Sequence, residues 1–284
     1  MRLLPVRSST LRARPAVAAA VARPGSAADA RLGRRWAWAG ALCGALLCGL
    51  LWAPARWLAA GVDQASQGQV QLLLPRGTVW TGSAHLVLTG GRNSQDRTTL
   101  PGRVGWQLRP QWTGLSLALN LDCCADAPLQ ARVQPGWNRV HVQIQDHQSR
   151  WPAQLLSGLG TPWNTLQPEG RLQLQLQGLS LDWAAGRLRL AGQVQLDALD
   201  ISSRLSTLHP MGSYRATLQG GDAPSLDLKT LEGSLLLSGQ GQWVGARLRF
   251  QGTAEAAPER EAALANLLNL IGRRRGARSH ITLG

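Results

Sequence analysis

The feature that most constrains this chain is an alternation of apolar and polar residues that returns again and again from residue 69 onward. Leu115, Leu117, Leu119 and Leu121 alternate with Ser116, Ala118, Asn120 and Asp122. Val140, Val142 and Ile144 alternate with Arg139, His141, Gln143 and Gln145. Neighbouring side chains of a strand point to opposite faces, so each run offers one face to a core and the other to water. The pattern recurs in Leu172, Leu174 and Leu176, in Leu188, Leu190, Val194 and Leu196, and in Leu235 with Leu237. Shorter runs at 69–74, 84–88, 103–108, 129–133, 213–219 and 246–253 complete the set. Leu is a weak strand former, but strand preference mostly reflects fit to a half-buried pleated surface. Glycines punctuate the runs, among them Gly77, Gly82, Gly102, Gly170, Gly186, Gly233, Gly239 and Gly252, and are expected at turns. Short connections between alternating strands make the expected sheet antiparallel, extended or curled.

Two segments read as helical. WPAQLLSGL at 151–159 suggests one or two turns. PEREAALANLLNLI at 258–271 places Glu259 and Glu261 in the first turn and Leu264, Leu267, Leu268 and Ile271 on one face. Gly272 then stops it, with Arg273, Arg274 and Arg275 at the negative end of the helix dipole.

Ahead of the strands, WAWAGALCGALLCGLLWA from Trp36 to Ala53 carries no charge over eighteen positions. That is about the minimum length for a bilayer-spanning helix. Trp36 and Trp38 at one end, and Trp52 and Trp57 at the other, suit the two membrane interfaces. Arg31, Arg34 and Arg35 lie just before the run, so the positive-inside tendency keeps the N-terminus cytoplasmic and exports everything after residue 57. Ala53-Pro54-Ala55 has the small-x-small form of a signal-peptide cleavage site, but the run exceeds the ordinary signal-peptide core, and an uncleaved anchor over 36–58 is expected. Gly40 and Gly44 have the spacing of a helix-dimerisation face, which leaves self-association open.

The formal charge of +14 raises nucleic acid as a partner, and its distribution argues against one. Half of it sits in residues 1–35, where eight Arg face Asp29 alone, in a tail expected to be disordered and cytoplasmic. From Trp57 onward 21 basic residues face 15 acidic ones, scattered along the strands. No nucleic-acid partner is expected.

Catalysis finds no foothold. There is no phosphate-binding G-x-x-x-x-G-K-S/T loop and no G-x-S-x-G elbow. His141 and His147 flank Asp146 without metal-ligand spacing, and Asp197 and Asp200 are the only close carboxylates in a sheet region. Cys43 and Cys48 lie in the apolar run. Cys123 and Cys124 are adjacent, and a vicinal disulfide, a partner disulfide and two thiols all fit the sequence. No enzyme activity, cofactor or metal is expected.

Several local motifs fall in the order of a known family. Gly77-Thr78-Val79-Trp80-Thr81-Gly82 resembles the G-T-V-W-S/T-G element of type II secretion system protein N. Leu100-Pro101-Gly102-Arg103-Val104-Gly105-Trp106 resembles its next strand, and Pro210-Met211-Gly212-Ser213-Tyr214 its P-x-G-S-Y turn. Pro168-Glu169-Gly170, the run from Gly233 through Gly239 to Trp243, then Phe250-Gln251-Gly252, and the Leu-rich helix ending at Gly272 complete the resemblance. It extends over roughly residues 40–284, and the Arg-rich tail is longer than it leads one to expect. The resemblance implies an accessory, non-catalytic component of the inner-membrane platform of type II secretion, in contact with other platform proteins. The motif residues themselves, Gly77, Trp80, Gly82, Pro101, Gly102, Trp106, Pro210, Gly212, Tyr214, Gly239, Phe250, Gly252 and Gly272, are expected to shape the fold. The strand grammar also resembles AsmA-like envelope proteins, which gives a second expectation: lipid handled in an apolar β-groove.

The expected architecture is mainly β. A cytoplasmic tail (1–35) leads to a transmembrane helix (36–58) and a periplasmic antiparallel sheet domain (59–284) with a short C-terminal helix.

Overall fold

The computed structural model describes residues 27–92, 94–245, 247–276 and 278–283. Most of the expected Arg-rich tail, residues 1–26, lies outside them. The chain divides into two compact units at Leu51.

The first unit holds helix α1, Ala27–Leu51, which takes its opening turns from the stretch expected to be tail. Arg31, Arg34 and Arg35 fall within α1, and the helix stops short of Pro54, which disfavours helical backbone at Ala53. No described helix is long and apolar enough to cross a membrane. The remainder of the expected anchor belongs to the second unit: Ala53 and Ala55 are buried there, and α2, Ala55–Ala65, runs beneath the first two strands.

The second unit is one antiparallel sheet. Its strands are β1 (Val70–Gly77), β2 (Thr81–Thr89), β3 (Arg97–Thr99), β4 (Val104–Gln111), β5 (Gly114–Leu121), β6 (Leu129–Gly136), β7 (Arg139–Ile144), β8 (His147–Pro152), β9 (Glu169–Ala184), β10 (Arg187–Ser202), β11 (Gly212–Gln219), β12 (Ser225–Gly233), β13 (Leu235–Val244), β14 (Arg247–Ala256), β15 (Arg273–Arg275) and β16 (Arg278–Leu283). Nearly every strand pairs with the next in sequence, and β3 and β8 pair on β2 and β9. Each strand run read from the alternation forms. β3, β8, β12, β15 and β16 carry too few alternating apolar residues to be read that way.

Helices α3 (Trp163–Leu166) and α4 (Glu261–Ile271) and the 3-10 turn Ala153–Leu159 fill the connections at one end of the strands. Leu264, Leu267 and Leu268 of α4 form a core with Met211, Tyr214, Leu235 and Ala254. The buried Ser279 hydroxyl holds α4 onto β16 by donating to the Leu268 carbonyl at 2.6 Å. A second core joins Leu100, Val104, Leu121 and Cys124 to Leu155 of the 3-10 turn. The third places Ala55 of α2 against Ala84 and Trp106.

A crease crosses the middle of the sheet. β7 and β8 lie on the same side of β9, against 180–184 and 171–176, with Gln145 and Asp146 between them. Gly178 in β9 and Gly192 in β10 have φ of 54° and 89°, and a Cβ on Gly192 would stand 2.3 Å from the Gly178 carbonyl oxygen. The register shifts at this point, pairing Leu181 with Leu190 but Leu176 with Val194. Such a bulge lets the apolar alternation of β9 pass from even to odd numbers without exchanging its faces.

Candidate interaction surface

The motif residues converge on close-packed glycines. Trp106 is buried, and its indole N–H lies 3.2 and 3.1 Å from the carbonyl oxygens of Thr78 and Val79. Its ring fills the space over Gly82, where a Cβ would lie 2.5 Å from Cζ2. Gly77, at φ 88°, turns the chain toward β2, and Trp80 is half-buried in that turn. Tyr214 stands over Gly212, and Phe250 over Gly239 and Gly252. An aromatic ring laid over a strand glycine supplies the packing that the glycine lacks.

These positions correct one expectation. Gly239 and Gly252 face each other in mid-strand, not at turns, because Phe250 occupies the room a side chain would need. Pro101 and Gly102 form the turn before β4, where the Gly102 carbonyl lies 3.0 Å from His85 Nδ1. Pro210, after a cis peptide bond, precedes β11, and Gly272 approaches the His280 carbonyl too closely for any Cβ, which would lie 2.4 Å from its oxygen.

The titratable residues are tied into the sheet. His141 Nδ1 is 2.9 Å from Asp182, which also accepts from Arg139 at 2.8 Å. The Arg139 and His141 hydrogen bonds hold the Asp182 carboxyl below the usual carboxylate range. Asp197 is buried and receives two 2.7 Å bonds from Arg215, which raise the arginine's pKa further. Asp200 pairs with Arg171, and the Asp146 carboxylate accepts the Gly178 N–H at 2.7 Å. His147 is buried, with Nε2 lacking a hydrogen-bond partner, and burial lowers its pKa. Cys123 and Cys124 are joined by a disulfide. Among the described residues no group of three or more His, Cys, Asp or Glu is placed to hold a metal ion.

What the unit presents outward is sheet edge and apolar surface. β1 has a neighbour on one side only, β2, and is bulged between Leu73 and Arg76. Its Leu73 and Leu74 are exposed. The opposite edge is β15, whose residues are three exposed arginines. β14 is not an edge, because β16 pairs along its outer side. Register lines up Leu115, Val133, Val142, Leu181 and Leu190 as one half-buried apolar row across five strands.

The second unit is an open antiparallel sheet packed by aromatic rings over strand glycines. The sequence profile described as type II secretion system (T2SS), protein N, matches residues 68–281, and the chain belongs to that family. The match starts two residues before β1 and runs into β16, so it spans nearly all of the sheet. No curated protein and no solved structure matches the chain.

Proposed function

We propose that this chain is an accessory inner-membrane component of the type II secretion system, supporting assembly of the machinery that carries folded proteins from the periplasm across the outer membrane. The observation that carries the reading is the family match over 68–281. The uncharged run from Trp36 to Ala53, with arginines before it and tryptophans at its ends, supports a single anchor with the N-terminus cytoplasmic and the sheet periplasmic. Its role is structural: the motif residues pack glycines, and Asp182, Asp197 and Asp200 are paired with arginines. Its partners are other platform proteins, held in the same layer above the membrane, where co-anchoring raises the effective concentration of weak contacts.

The edge strand β1 is the surface best suited to them, since unpaired N–H and C=O groups along an edge can add a partner's strand. Photocrosslinkers placed at Gln71 and Leu73 should trap a platform protein in cells at native expression, and deleting residues 36–53 while still exporting the domain should weaken the trapping strongly. Absence of any platform adduct from full-length, membrane-retained protein overturns this role. Periplasm-dependent reporters should be active when fused after residue 60 and inactive before residue 30.

One observation favours a second reading, lipid handling. The row Leu115, Val133, Val142, Leu181 and Leu190 stays only half-buried, an apolar lining that would suit acyl chains. Phospholipid co-purifying with the protein, and lost when Val142 and Leu181 become Asp, would move the assignment there.

A further inference from the structure

Five tryptophans lie at or beside the hairpin connections at one end of the sheet. Because the strands alternate in direction, the connections β1–β2, β4–β5, β6–β7, β9–β10, β11–β12 and β13–β14 share that end, and the helices of the other connections lie at the opposite one. Trp112 forms the β4–β5 turn and Trp137 the β6–β7 turn, and both side chains are fully exposed. Trp183, one residue before the close of β9, is 56% exposed and pairs across strands with Val140 and with Leu188, itself 59% exposed. Successive tips are two strand spacings apart, about 10 Å, so these three indoles form a row and not scattered surface residues.

Arginines stand beside them. Arg109, Arg139, Arg187, Arg189 and Arg247 occupy the last residues of the strands at this end, all exposed. The acidic residues there are few, and Asp182 is already engaged by Arg139 and His141. At the other end Arg171 pairs with Asp200, Arg150 with Asp126 and Arg278 with Glu255, beside the exposed arginines of β15.

The same end receives the chain from its apolar segment. α1 stops at Leu51, and Ala53 is already buried, its carbonyl accepting the Val79 N–H at 2.8 Å, with Pro54 bridged to Thr78 in the β1–β2 connection. Trp57, exposed on α2, shares an apolar depression with Val79 at this point.

We propose that the hairpin tips bearing Trp112, Trp137 and Trp183 seat in the interface of the anionic bilayer that holds the apolar segment, so that the sheet stands on the membrane by these turns. Indole rings prefer the headgroup level, where the apolar ring and polar N–H are both accommodated, and arginines beside them meet anionic phosphates. Ala53, the last residue of the uncharged run, is itself buried at the end of the sheet where these tips lie. The inference rests on the membrane-anchored reading above, and its test separates the two.

Full-length protein would carry benzoylphenylalanine in place of Trp112, Trp137 or Trp183, with Leu231 and Leu270, exposed apolar residues away from the tips, as controls. Irradiation in vesicles of phosphatidylethanolamine and phosphatidylglycerol should give lipid adducts, seen by mass, at the three tips and not at the controls. Changing Arg187 and Arg189 to Gln should lower adduct yield at position 183 by about fivefold per charge, if each arginine near an anionic surface is worth about 1 kcal/mol. Adducts absent from the tips, or equal at Leu231 and Leu270, overturn the proposal, as do protein adducts at the tips in cells without lipid adducts. Alkaline extraction of the same membranes reads the anchor independently: protein that stays in the pellet without tip adducts retains the anchor and loses the docking surface.

Discussion

Phe250 occupies the space that a side chain at Gly239 would need, with its Cζ 2.4 Å from where a Cβ would stand. The two residues belong to neighbouring strands, and Gly252, directly opposite Gly239, lies under the same ring. Gly239→Val should therefore overpack a closed site and cost about 1–3 kcal/mol. In a Phe250→Ala background, which itself should lose about 3–5 kcal/mol, the same change should cost much less, because the ring that it collides with is gone. Denaturant unfolding of the four proteins, followed by far-UV circular dichroism, measures the coupling. Additive effects would mean that the ring and the glycine are not packing partners.

Tyr214 is the chain's single tyrosine, and its buried hydroxyl finds no hydrogen-bond partner. Burial raises the pKa of the phenol well above its ordinary value. An orphaned buried polar group costs about 1–3 kcal/mol, so Tyr214→Phe should be neutral or stabilising, whereas Tyr214→Ala should be severely destabilising through the cavity it leaves. Because no other tyrosine contributes, tyrosinate absorbance should stay absent through about pH 11 and appear together with alkaline unfolding. Ordinary titration near pH 10 in the folded protein would show the ring to be accessible.

The sheet was legible because its signal is repetitive: Leu115 to Leu121 or Val140 to Ile144 can bury one face only as strands. The family motifs contain Trp106, Tyr214 and Phe250, and all three side chains are buried. Their local function was not legible. Gly239 and Gly252 look like turn residues in sequence, and only the register shows them opposite each other under one ring. β12 escaped reading because Leu226 and Leu228 are its short apolar pair within a polar stretch, and its place is set by the strands on each side. The row of Trp112, Trp137 and Trp183 needs topology as well, since residues so far apart in sequence become neighbours only when the connections alternate. The turns they occupy are the one signal that could have flagged them, aromatics beside Gly114, Asn138 and Gly186 where solvent is expected.

Burial lowers the pKa of His147 below its unfolded value. Between those two values the unfolded chain binds the extra proton, and stability falls as pH drops below about 6.5. Above that pH the contribution is fully present. His147→Leu should keep the packing on Leu176 and remove this part of the acid sensitivity. Melting temperatures of the two proteins, compared at pH 8 and pH 5.5, should diverge in the wild type's disfavour only at the lower pH. A constant difference would exclude His147 as the titrating group.

Asp146 supports the crease. Between β7 and β8 the strand ladder is interrupted, and the Asp146 carboxylate accepts the Gly178 N–H at 2.7 Å. Gly178 must stay glycine-like to hold φ 54°, and its carbonyl closes on Gly192, so the bulge cannot relax by rotating elsewhere. Removing the acceptor with Asp146→Ala should cost about 0.5–1.5 kcal/mol, a modest loss because the site is exposed. Asp146→Asn keeps an oxygen in place and should recover most of it. Hydrogen exchange gives the local reading: the Gly178 amide should exchange faster in Asp146→Ala, while amides in β13 and β14, distant in the sheet, keep their rates. If those distant amides quicken equally, the crease has no local hold on Gly178, and the carboxylate acts on the stability of the whole sheet.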